Sequence, residues 1–418
     1  MKWLLYLTIL LMPWLKPELP YNFDYVDAVM VLFIFLVLLM VLARHIKPRF
    51  FLWLPMAVIL ASGIISALAS DTPGHSLIAA AKDAAIYVWF LAVVSYVRQR
   101  ELLDSLVRFW LLTTWLMGLL VAVAPFLLRS YSYFFFSIGH PLSQTRVVGL
   151  FRDPNMAANY LLLGSLVGLA FPPVRSRVGQ VLFHVTLCAG IIATGSNGGL
   201  GAAVAGWAIY LFLYSWRHFT VPAGRAAWAS LCVLVVLGAT FYAAAMPPDI
   251  SQIIAERAGG THLVRIERGL DLRKGKIADA LAMYAESPLM GVGPGNLIAP
   301  DPSWSANPHN DFLTKLVENG PMGFLGYWGL VTAIFAWLFR LRKLLPDRSP
   351  IYMGLMAAFV ASLVHALSIQ TFHFRHVWLL YAVILLTCWF SHQVGSSMAG
   401  KSRVSSVTST AQPAELVV

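Results

Sequence analysis

The chain has 418 residues, of which 59% are hydrophobic and only 12% are charged. Soluble globular proteins carry about 25% charged residues, so the composition excludes a soluble globular domain. The formal net charge is +11. A membrane topology with positively charged inner loops accounts for such an excess, and no nucleic-acid partner is expected.

Apolar runs near the length needed to cross a bilayer, roughly 17 to 25 residues, recur along the chain. They lie at 3–15, 25–43, 50–69, 76–97, 103–128, 155–171, 180–196, 198–215, 227–246, 321–341, 350–370 and 376–394. The seventh and eighth runs are divided only by "GSNGG", where we expect a turn. The first run follows Lys2, as in a signal peptide, but the missing A-x-A cleavage site and the many later runs favour a retained helix. The expected fold is an all-α polytopic membrane protein with about 12 transmembrane helices.

The distribution of positive charge predicts the orientation. With an inner N-terminus and alternating spans, 17 of the 30 lysines and arginines fall on the inner side, and 7 of the others fall in the long connection 247–320. Long loops cross regardless of charge, so the short loops decide. Both termini are expected inside and the long loop outside. The expected division is helices one to nine in 1–246, the outer loop in 247–320, helices ten to twelve in 321–395, and a disordered tail in 396–418.

Cysteine usage and ligand motifs give no sign of a cofactor. Cys188, Cys232 and Cys388 all fall within apolar runs, so we interpret them as packing or lipid-facing residues. The outer regions contain no D-x-D pair, no H-E-x-x-H and no Cys/His cluster, and the short inner loops contain no nucleotide fingerprint. No metal and no other cofactor is expected. Chemistry on the outer side, where nucleotide sugars are not supplied, needs a donor with its own leaving group, and a lipid pyrophosphate fits.

Polar regions on the outer side hold a concentration of arginines. The regions are 129–154, the "ATGSNGG" turn at 193–199, and the long loop. The first contains Arg129, Arg146 and Arg152. The cations of the long loop cluster at Arg257, Arg265, Arg268, Arg273, Lys274 and Lys276. A guanidinium binds phosphate in bidentate fashion and stays charged in any environment, so the set favours a phosphate-containing ligand. Contact with lipid headgroups or pairing with loop carboxylates is the alternative for any single arginine.

The sequence "KIADALAMYAESPLMGVGPGN" at 276–296 predicts a helix followed by turns. Ile277, Leu281 and Tyr284 share one face of that helix. Pro288 and the glycines that follow it end the helix.

The sequence "HNDFLTKLVENG" at 309–320 predicts an amphipathic helix. Its apolar face consists of Phe312, Leu313, Leu316 and Val317. Either Asn307, with Pro308 at the first helical position, or Asn310 caps it. His309 then lies at the helix N-terminus, where the helix dipole disfavours an imidazolium and favours anions. A neutral histidine there can accept a proton beside a negatively charged ligand, or it can have a purely structural role at the helix start.

Four motifs in this order resemble the O-antigen ligase family, which includes O-antigen polymerases and protein O-oligosaccharyltransferases. They are "RVVGLFRDPNMAANYLL" (146–162), "TGSNGG" (194–199), "LRKGKIADALAMYAESPLMGVGPGN" (272–296) and "PHNDFLTKLVENGPMG" (308–323). The resemblance implies a GT-C-like glycosyltransferase of the bacterial inner membrane with a large periplasmic loop that carries short helices and the catalytic motifs. It implies transfer of O-antigen from undecaprenyl pyrophosphate to lipid A–core oligosaccharide in the periplasm, without a metal, by an enzyme embedded among membrane lipids.

The resemblance also implies roles for individual residues. His309 matches the essential histidine of the family, which acts on the acceptor hydroxyl as a general base or orients it. Arg273, Arg146 and Arg152 match basic positions that we assign to the pyrophosphate. Asn310 is a further substrate-binding candidate beside His309. Arg265 is a candidate from its local charge alone.

One departure and two alternatives remain open at this point. Relatives often carry Ser-Arg-Gly where this chain has Ser196-Asn197-Gly198, so Arg265 or Arg268 would have to supply the missing cation. The motifs separate a ligase poorly from a polymerase or a protein-glycosylating enzyme, and they do not identify the glycan, the acceptor sugar or the oligomeric state.

A secondary transporter is the alternative from another class. Its ionisable groups would lie within the spans. Lys82 and Asp83 form the notable pair of that kind, and they are expected to neutralise each other near the outer end of their span. His184 and His365 are expected to be isolated, packed residues.

Overall fold

The computed structural model describes residues 1–15, 24–127, 146–218, 263–297, 306–346 and 349–408. These residues form helices and connections, and they contain no β-strand. In chain order the helices are α1 (Lys2–Leu11), α2 (Tyr25–Leu42), α3 (Trp53–Ala69), α4 (Pro73–Tyr96), α5 (Arg100–Leu127), α6 (Pro154–Ala170), α7 (Arg177–Thr194), α8 (Asn197–His218), α9 (Leu263–Glu286), α10 (Asp311–Leu344), α11 (Pro350–Ala366) and α12 (Arg375–Thr408).

The helices coincide with the apolar runs of the sequence. Every predicted run except 227–246, which lies outside the described residues, falls on one of these helices. Seven of the described helices, α2, α4, α5, α7, α8, α10 and α12, are long and apolar enough to cross a membrane. The helices α1, α3 and α11 are apolar but shorter. The protein is therefore an all-helical, multi-pass membrane protein over the described ranges, while the count of about 12 spans stays a prediction.

The predicted turn between the seventh and eighth runs is present. Gly195 ends α7 in the left-handed conformation, with φ of 58°. The Ser196 hydroxyl then accepts a hydrogen bond from the Gly199 backbone N–H at 3.0 Å, which satisfies one of the free N–H groups at the start of α8.

Helix α12 lies at the centre of the helical assembly. It packs against α4, α5, α6, α10 and α11. Of its membrane-length segment Arg375–Val394, 72% is buried, whereas the corresponding figure for α2 is 22%. A helix that is apolar on all sides is typical of an interior position, and α2 presents most of its apolar surface outward, as a lipid-facing helix does.

Helix α10 joins part of the predicted outer loop to a predicted span. Its 34 residues correspond to about 51 Å at 1.5 Å per residue, which is longer than a hydrocarbon core of about 30 Å. Gly320 has non-helical angles (φ 66°, ψ −172°) and Pro321 follows it. The kink therefore divides α10 into a segment of residues 311–319 and a longer segment beginning at Pro321, which is where the sequence predicted the loop to end.

Two observations bear on the predicted helix ends and faces. The sequence predicted a disordered tail from residue 396; the backbone of α12 is helical to Thr408, and the rest of the tail lies outside the described residues. On α9, Ala280 is fully buried while Leu281 is 46% exposed. The face that packs is therefore centred on Ala280, with Tyr284 partly buried beside it.

Candidate active site

The short connection between α11 and α12, residues 367–374, gathers the motifs of the sequence at one end of the helices. On one side it meets the segment that contains His309, through a hydrogen bond from Asn310 Nδ2 to the Leu367 carbonyl at 3.5 Å. On the other side Ser368 lies against Gly198 in the turn between α7 and α8. The segments that the charge distribution assigned to one side of the membrane therefore meet in space.

His309 lies at the beginning of α10 in a constrained backbone conformation. Its φ is 49°, which is uncommon for a non-glycine residue, and its backbone N–H donates to Asn307 Oδ1 at 2.9 Å. Asn310 is the N-cap, because its Oδ1 accepts from the Phe312 and Leu313 N–H groups at 3.0 and 3.1 Å. Of the two predicted caps, Asn310 is correct, and Asn307 instead shapes the turn that holds His309.

Further polar contacts hold this segment against the α11–α12 connection. Asn307 Nδ2 donates to Gln370 Oε1 at 3.3 Å, and Gln370 Nε2 donates to Thr314 Oγ1 at 2.8 Å. The half-buried His309 is thus held in place by hydrogen bonds of the residues before and after it, Asn307 and Asn310.

The first segment of α10 buries its polar side more completely than its predicted apolar side. Val317 is fully buried, but the other members of the predicted stripe are only partly buried. The buried polar residues are Asp311, Thr314, Lys315, Glu318 and Asn319. Burial of charge is favourable only when partners satisfy it, so these residues define the contacts of the site.

The carboxylate of Asp311 fastens the α11–α12 connection to α10. It accepts hydrogen bonds from the Thr371 hydroxyl at 2.6 Å and the Thr371 N–H at 3.0 Å. The Phe372 N–H donates to it at 3.3 Å, and so does the Tyr327 hydroxyl. An ionised carboxylate can accept this many donors, and Asp311 is only 1% exposed.

Asp83 pairs with residues far away in the sequence rather than with Lys82. Its carboxylate contacts Lys315 Nζ at 2.7 Å and His373 Nε2 at 2.6 Å. Lys82 is exposed while Asp83 is buried, so the expectation that the two neutralise each other is wrong: neighbouring residues on a helix point in different directions. Lys315 Nζ also lies 4.3 Å from the centre of the Phe372 ring, which favours a buried cation.

His373 is the exposed member of this ion cluster. Its side chain is 45% exposed, whereas Asp83 and Lys315 are 4% and 1% exposed. Enclosure by the protein lowers the pKa of His373, but the charge of Asp83 and the hydrogen bond to it raise the pKa above the ordinary histidine value on balance. His373 beside Asp83 therefore holds a proton more tightly than an isolated histidine does.

The glycine-rich motif after α9 wraps around the end of the first segment of α10. The Gly293 N–H donates to the Glu318 carbonyl at 3.0 Å, and the Gly295 N–H donates to Glu318 Oε1 at 2.9 Å. Gly291, with φ of 79°, has no room for a side chain, since a Cβ there would lie 2.6 Å from the Glu318 carbonyl oxygen. The "GVGPG" and "ENGP" sequences thus pack directly against each other.

A second cluster joins Arg146, Asn155 and the turn between α7 and α8. Arg146 Nε donates to the Thr194 carbonyl and its Nη2 donates to Asn155 Oδ1, both at 3.1 Å. The Ser196 hydroxyl donates to the same Asn155 oxygen at 2.7 Å. The two motifs 146–162 and 194–199, which are separate in the sequence, therefore meet at one amide.

One helical turn deeper, Asn159 lies between two buried histidines. Its Nδ2 contacts His365 Nδ1 at 2.8 Å and its Oδ1 contacts His376 Nε2 at 2.9 Å. His365 is packed, as expected, but it is not isolated. His184, also expected to be isolated, lies 3.4 Å from the Ser165 hydroxyl.

Arg152 belongs to a separate ion network. Its Nη2 pairs with Asp24, and its Nε donates to the Leu15 carbonyl at 3.0 Å. Arg375 pairs with the same Asp24 at 3.2 Å and with Asp27 at 2.6 Å. These contacts tie the start of α2, the segment before α6 and the start of α12 together.

The remaining predicted arginines are less completely described. Arg265, Arg268 and Arg273 lie on α9, and their side chains are outside the described part of the structure. Arg129 and Arg257 lie outside the described residues, as does Cys232. Within the described residues, no group of three His, Cys, Asp or Glu side chains is arranged to hold a metal ion.

Sequence reasoning missed the partners that complete the site. None of these partners was a candidate from the sequence: Lys315, His373, Arg375, Asp311 and Glu318. One signal was available: the sequence "HFRH" at 373–376 is a polar run in a short connection between two apolar stretches, where each charged group needs a partner.

Comparison with protein families supports the resemblance noted in the motifs. Residues 182–328 match the family model described as O-Antigen ligase. The matched region contains the Ser196 turn, α9, the glycine-rich motif, His309 and the kink of α10, whereas Arg146, Asp83 and His373 lie outside it. A search of curated proteins gave no match. The match covers about a third of the chain and supports similarity to O-antigen ligases over that part, and the chain as a whole is a multi-pass membrane protein.

Proposed function

We propose that this protein is an O-antigen ligase, which transfers O-antigen polysaccharide from undecaprenyl pyrophosphate to the lipid A–core oligosaccharide of lipopolysaccharide. The observation that carries the proposal is the convergence of the family motifs on the α11–α12 connection. The His309 segment contacts Leu367 and Gln370, while the turn that contacts Arg146 through Asn155 lies against Ser368. A histidine and a guanidinium are thereby held at the same end of the helices.

The reaction forms one bond and breaks one bond. The oxygen of the acceptor hydroxyl attacks the anomeric carbon of the donor glycan, and the bond from that carbon to the pyrophosphate oxygen breaks with its electron pair. His309 contacts the attacking hydroxyl and assists the loss of its proton, a role worth about 10²–10⁴-fold in rate. Undecaprenyl pyrophosphate is the leaving group, so no nucleotide is needed, and we propose that no metal is needed either.

Cations stabilise the charge that develops on the pyrophosphate, which is usually the largest catalytic contribution. We assign this role to Arg146 and to Arg273, with Arg265 or Arg268 in place of the arginine that relatives carry at position 197. Arg152 has its guanidinium engaged by Asp24 and the Leu15 carbonyl, so the proposal gives it a positioning role for the segment 146–155. Asn310 has a similar role as the cap beside His309.

The proposed setting is the bacterial inner membrane, with both termini in the cytoplasm and the site in the periplasm. The prenyl tail of the donor would lie among the apolar helices, where it replaces membrane lipid, and its pyrophosphate would lie at the end where the motifs meet. The proposed division of the chain keeps residues 247–320 as the periplasmic part, and α10 places residues 311–319 of that part against α4 and the α11–α12 connection.

The test is transfer by the purified protein in proteoliposomes that contain the lipid pyrophosphate donor. Parallel reactions offer lipid A–core, a second donor molecule, or a protein acceptor, each with and without a chelator. We expect a product only with lipid A–core, at the same rate with chelator. Extension of the donor glycan would identify a polymerase, glycosylation of protein would identify a protein O-oligosaccharyltransferase, and uptake of solute without transfer would identify a transporter.

A further inference from the structure

His373 is the point at which a buried cluster of charge reaches the outside of the protein. Asp83 on α4 and Lys315 on α10 are buried, and His373 is 45% exposed. The other charged groups that act on it are Glu318 and the Asp311 carboxylate, both from α10. The charges of Asp83 and Glu318 raise the pKa of His373 and that of Lys315 lowers it, and on balance the cluster favours uptake of a proton by His373.

The hydrogen bonds fix which nitrogen of His373 carries a proton. An ionised carboxylate has no proton to donate, and Asp83 is held in that form by Lys315 Nζ at 2.7 Å. The contact of 2.6 Å between Asp83 Oδ1 and His373 Nε2 is therefore an N–H donated by the imidazole. In the neutral ring the other nitrogen, Nδ1, holds a lone pair and can accept a proton. A carboxylate behind a histidine stabilises the imidazolium that forms when it does so.

The same backbone contacts hold His373 and His309 at the site. The two residues that precede His373, Thr371 and Phe372, donate their N–H groups to Asp311, which lies two residues after His309. Any movement of the α11–α12 connection would therefore displace both histidines together. Of these two histidines, the resemblance assigns a role to His309 alone, and His373 lies outside the region matched by the family model.

We propose that the Asp83–His373 pair is a second proton-accepting group of the transfer site, which takes up the proton lost by the acceptor hydroxyl. The inference rests on the proposed function. As the bond to the anomeric carbon forms and the pyrophosphate leaves, His309 orients the acceptor hydroxyl, the O–H proton moves to His373 Nδ1, and Asp83 stabilises the resulting cation. The proton then passes to water or to the released pyrophosphate, which restores the neutral ring.

The experiment measures kcat and donor KM for transfer across a pH series, in the wild type, His373→Gln and Asp83→Asn. The wild type should lose activity on the acidic side as His373 becomes protonated. His373→Gln should lower kcat about 10²–10⁴-fold with little change in donor KM, and its residual activity should extend to lower pH. Asp83→Asn should also shift the acidic limit to lower pH, because removal of the carboxylate lowers the pKa of the histidine.

The matched control is His75→Gln, at the same end of the protein, where the ring contacts the Gly295 carbonyl at 3.3 Å. It should keep the wild-type profile. A His373→Gln profile and kcat equal to those of His75→Gln would overturn the inference while leaving the ligase proposal intact. Absence of transfer by the wild type would overturn both.

A second measurement does not depend on the variants folding. Diethyl pyrocarbonate modifies a histidine only in its neutral form. The rate of modification of the His373 peptide against pH therefore gives the titration midpoint of His373 in the wild type. We expect a midpoint above the ordinary histidine value of about 6.5. A midpoint at or below that value would also overturn the inference.

Discussion

Lys315 Nζ on α10 and the Asp83 carboxylate on α4 form an ion pair of 2.7 Å, with side chains 1% and 4% exposed. Removing one partner of a buried pair costs about 3–5 kcal/mol, because the other charge is left uncompensated. Asp83→Ala leaves Lys315 in that state, whereas Lys315→Met leaves Asp83 paired with His373. We therefore expect Asp83→Ala to lower the thermal unfolding midpoint in detergent more than Lys315→Met does.

The double variant Asp83→Ala/Lys315→Met should recover part of the stability lost in Asp83→Ala. The control is Arg100→Met, whose partner Asp104 lies at 2.9 Å in an exposed pair, where the cost is at most about 1 kcal/mol. Equal losses for the buried and the exposed pair would contradict the prediction.

The contact between the two glycine-containing motifs gives a second prediction. Gly291→Ala and Gly320→Ala each place a Cβ against backbone, at positive φ, and the conformation alone costs roughly 1–2 kcal/mol. We expect both to lower the unfolding midpoint and to reduce transfer. Gly201→Ala on α8 meets nothing within 4 Å and should be neutral or stabilising by up to about 1 kcal/mol. Wild-type stability of Gly291→Ala would show that this contact is not required.

Arg146 gives a prediction about donor binding. Its guanidinium donates to both the Thr194 carbonyl and Asn155 Oδ1, and a lysine ammonium cannot reproduce that geometry. Arg146→Lys should raise the donor KM or lower kcat/KM about tenfold or more, which corresponds to about 1.4 kcal/mol. Arg100→Lys, at an exposed pair, is the matched control and should transfer normally. Unchanged kinetics in Arg146→Lys would remove Arg146 from the pyrophosphate site.

For Arg152 we expect an effect on stability and not on donor binding. Because Arg152 pairs with Asp24, Arg152→Ala should destabilise the protein by about 1–3 kcal/mol, the cost of a charged hydrogen bond. Asp24→Ala should cost at least as much, because Asp24 also pairs with Arg375. The double variant should lose less than the sum of the two single losses, and the donor KM of the folded protein should stay near that of the wild type. A raised donor KM with an unchanged unfolding midpoint would instead return Arg152 to the pyrophosphate site.

His309 is tested by His309→Ala, with His45→Ala as the matched control. His45 is exposed in the connection between α2 and α3, which the charge distribution places on the cytoplasmic side. Both variants should insert and fold, since neither histidine is fully buried. We expect cells with His309→Ala to make no smooth lipopolysaccharide and cells with His45→Ala to make the normal ladder. A normal ladder with His309→Ala would refute the role of this histidine.

Hydropathy was sufficient to place the helices, since the length of an apolar run reflects the thickness of the bilayer. The turn at Gly195 and the cap at Asn310 were also accessible from the sequence, because glycine and asparagine have local backbone reasons to lie there. The distribution of lysine and arginine predicted which connections lie on the same side of the membrane. The contacts among the segments around Asn155, His309 and Leu367 agree with that prediction.

The partners of the buried charges were not accessible in the same way. Asp83 lies 232 residues from Lys315 and 290 residues from His373 in the chain, and no local pattern connects them. The predicted apolar face of the first segment of α10 does pack, with Val317 fully buried and Phe312 and Leu313 partly buried. Apolar periodicity gave no sign that ion pairing and hydrogen bonding would bury the polar side more completely. The number of spans remains a prediction for the same chain, since 227–246 lies outside the described residues.

Lys315 and His373 both pair with the carboxylate of Asp83, and this limits which substitutions homologous sequences can accept. A change at any one of positions 83, 315 and 373 alters the environment of the other two, so single substitutions there should be poorly tolerated while coordinated replacements survive. Homologues in which position 83 is apolar should therefore also have lost the lysine at 315.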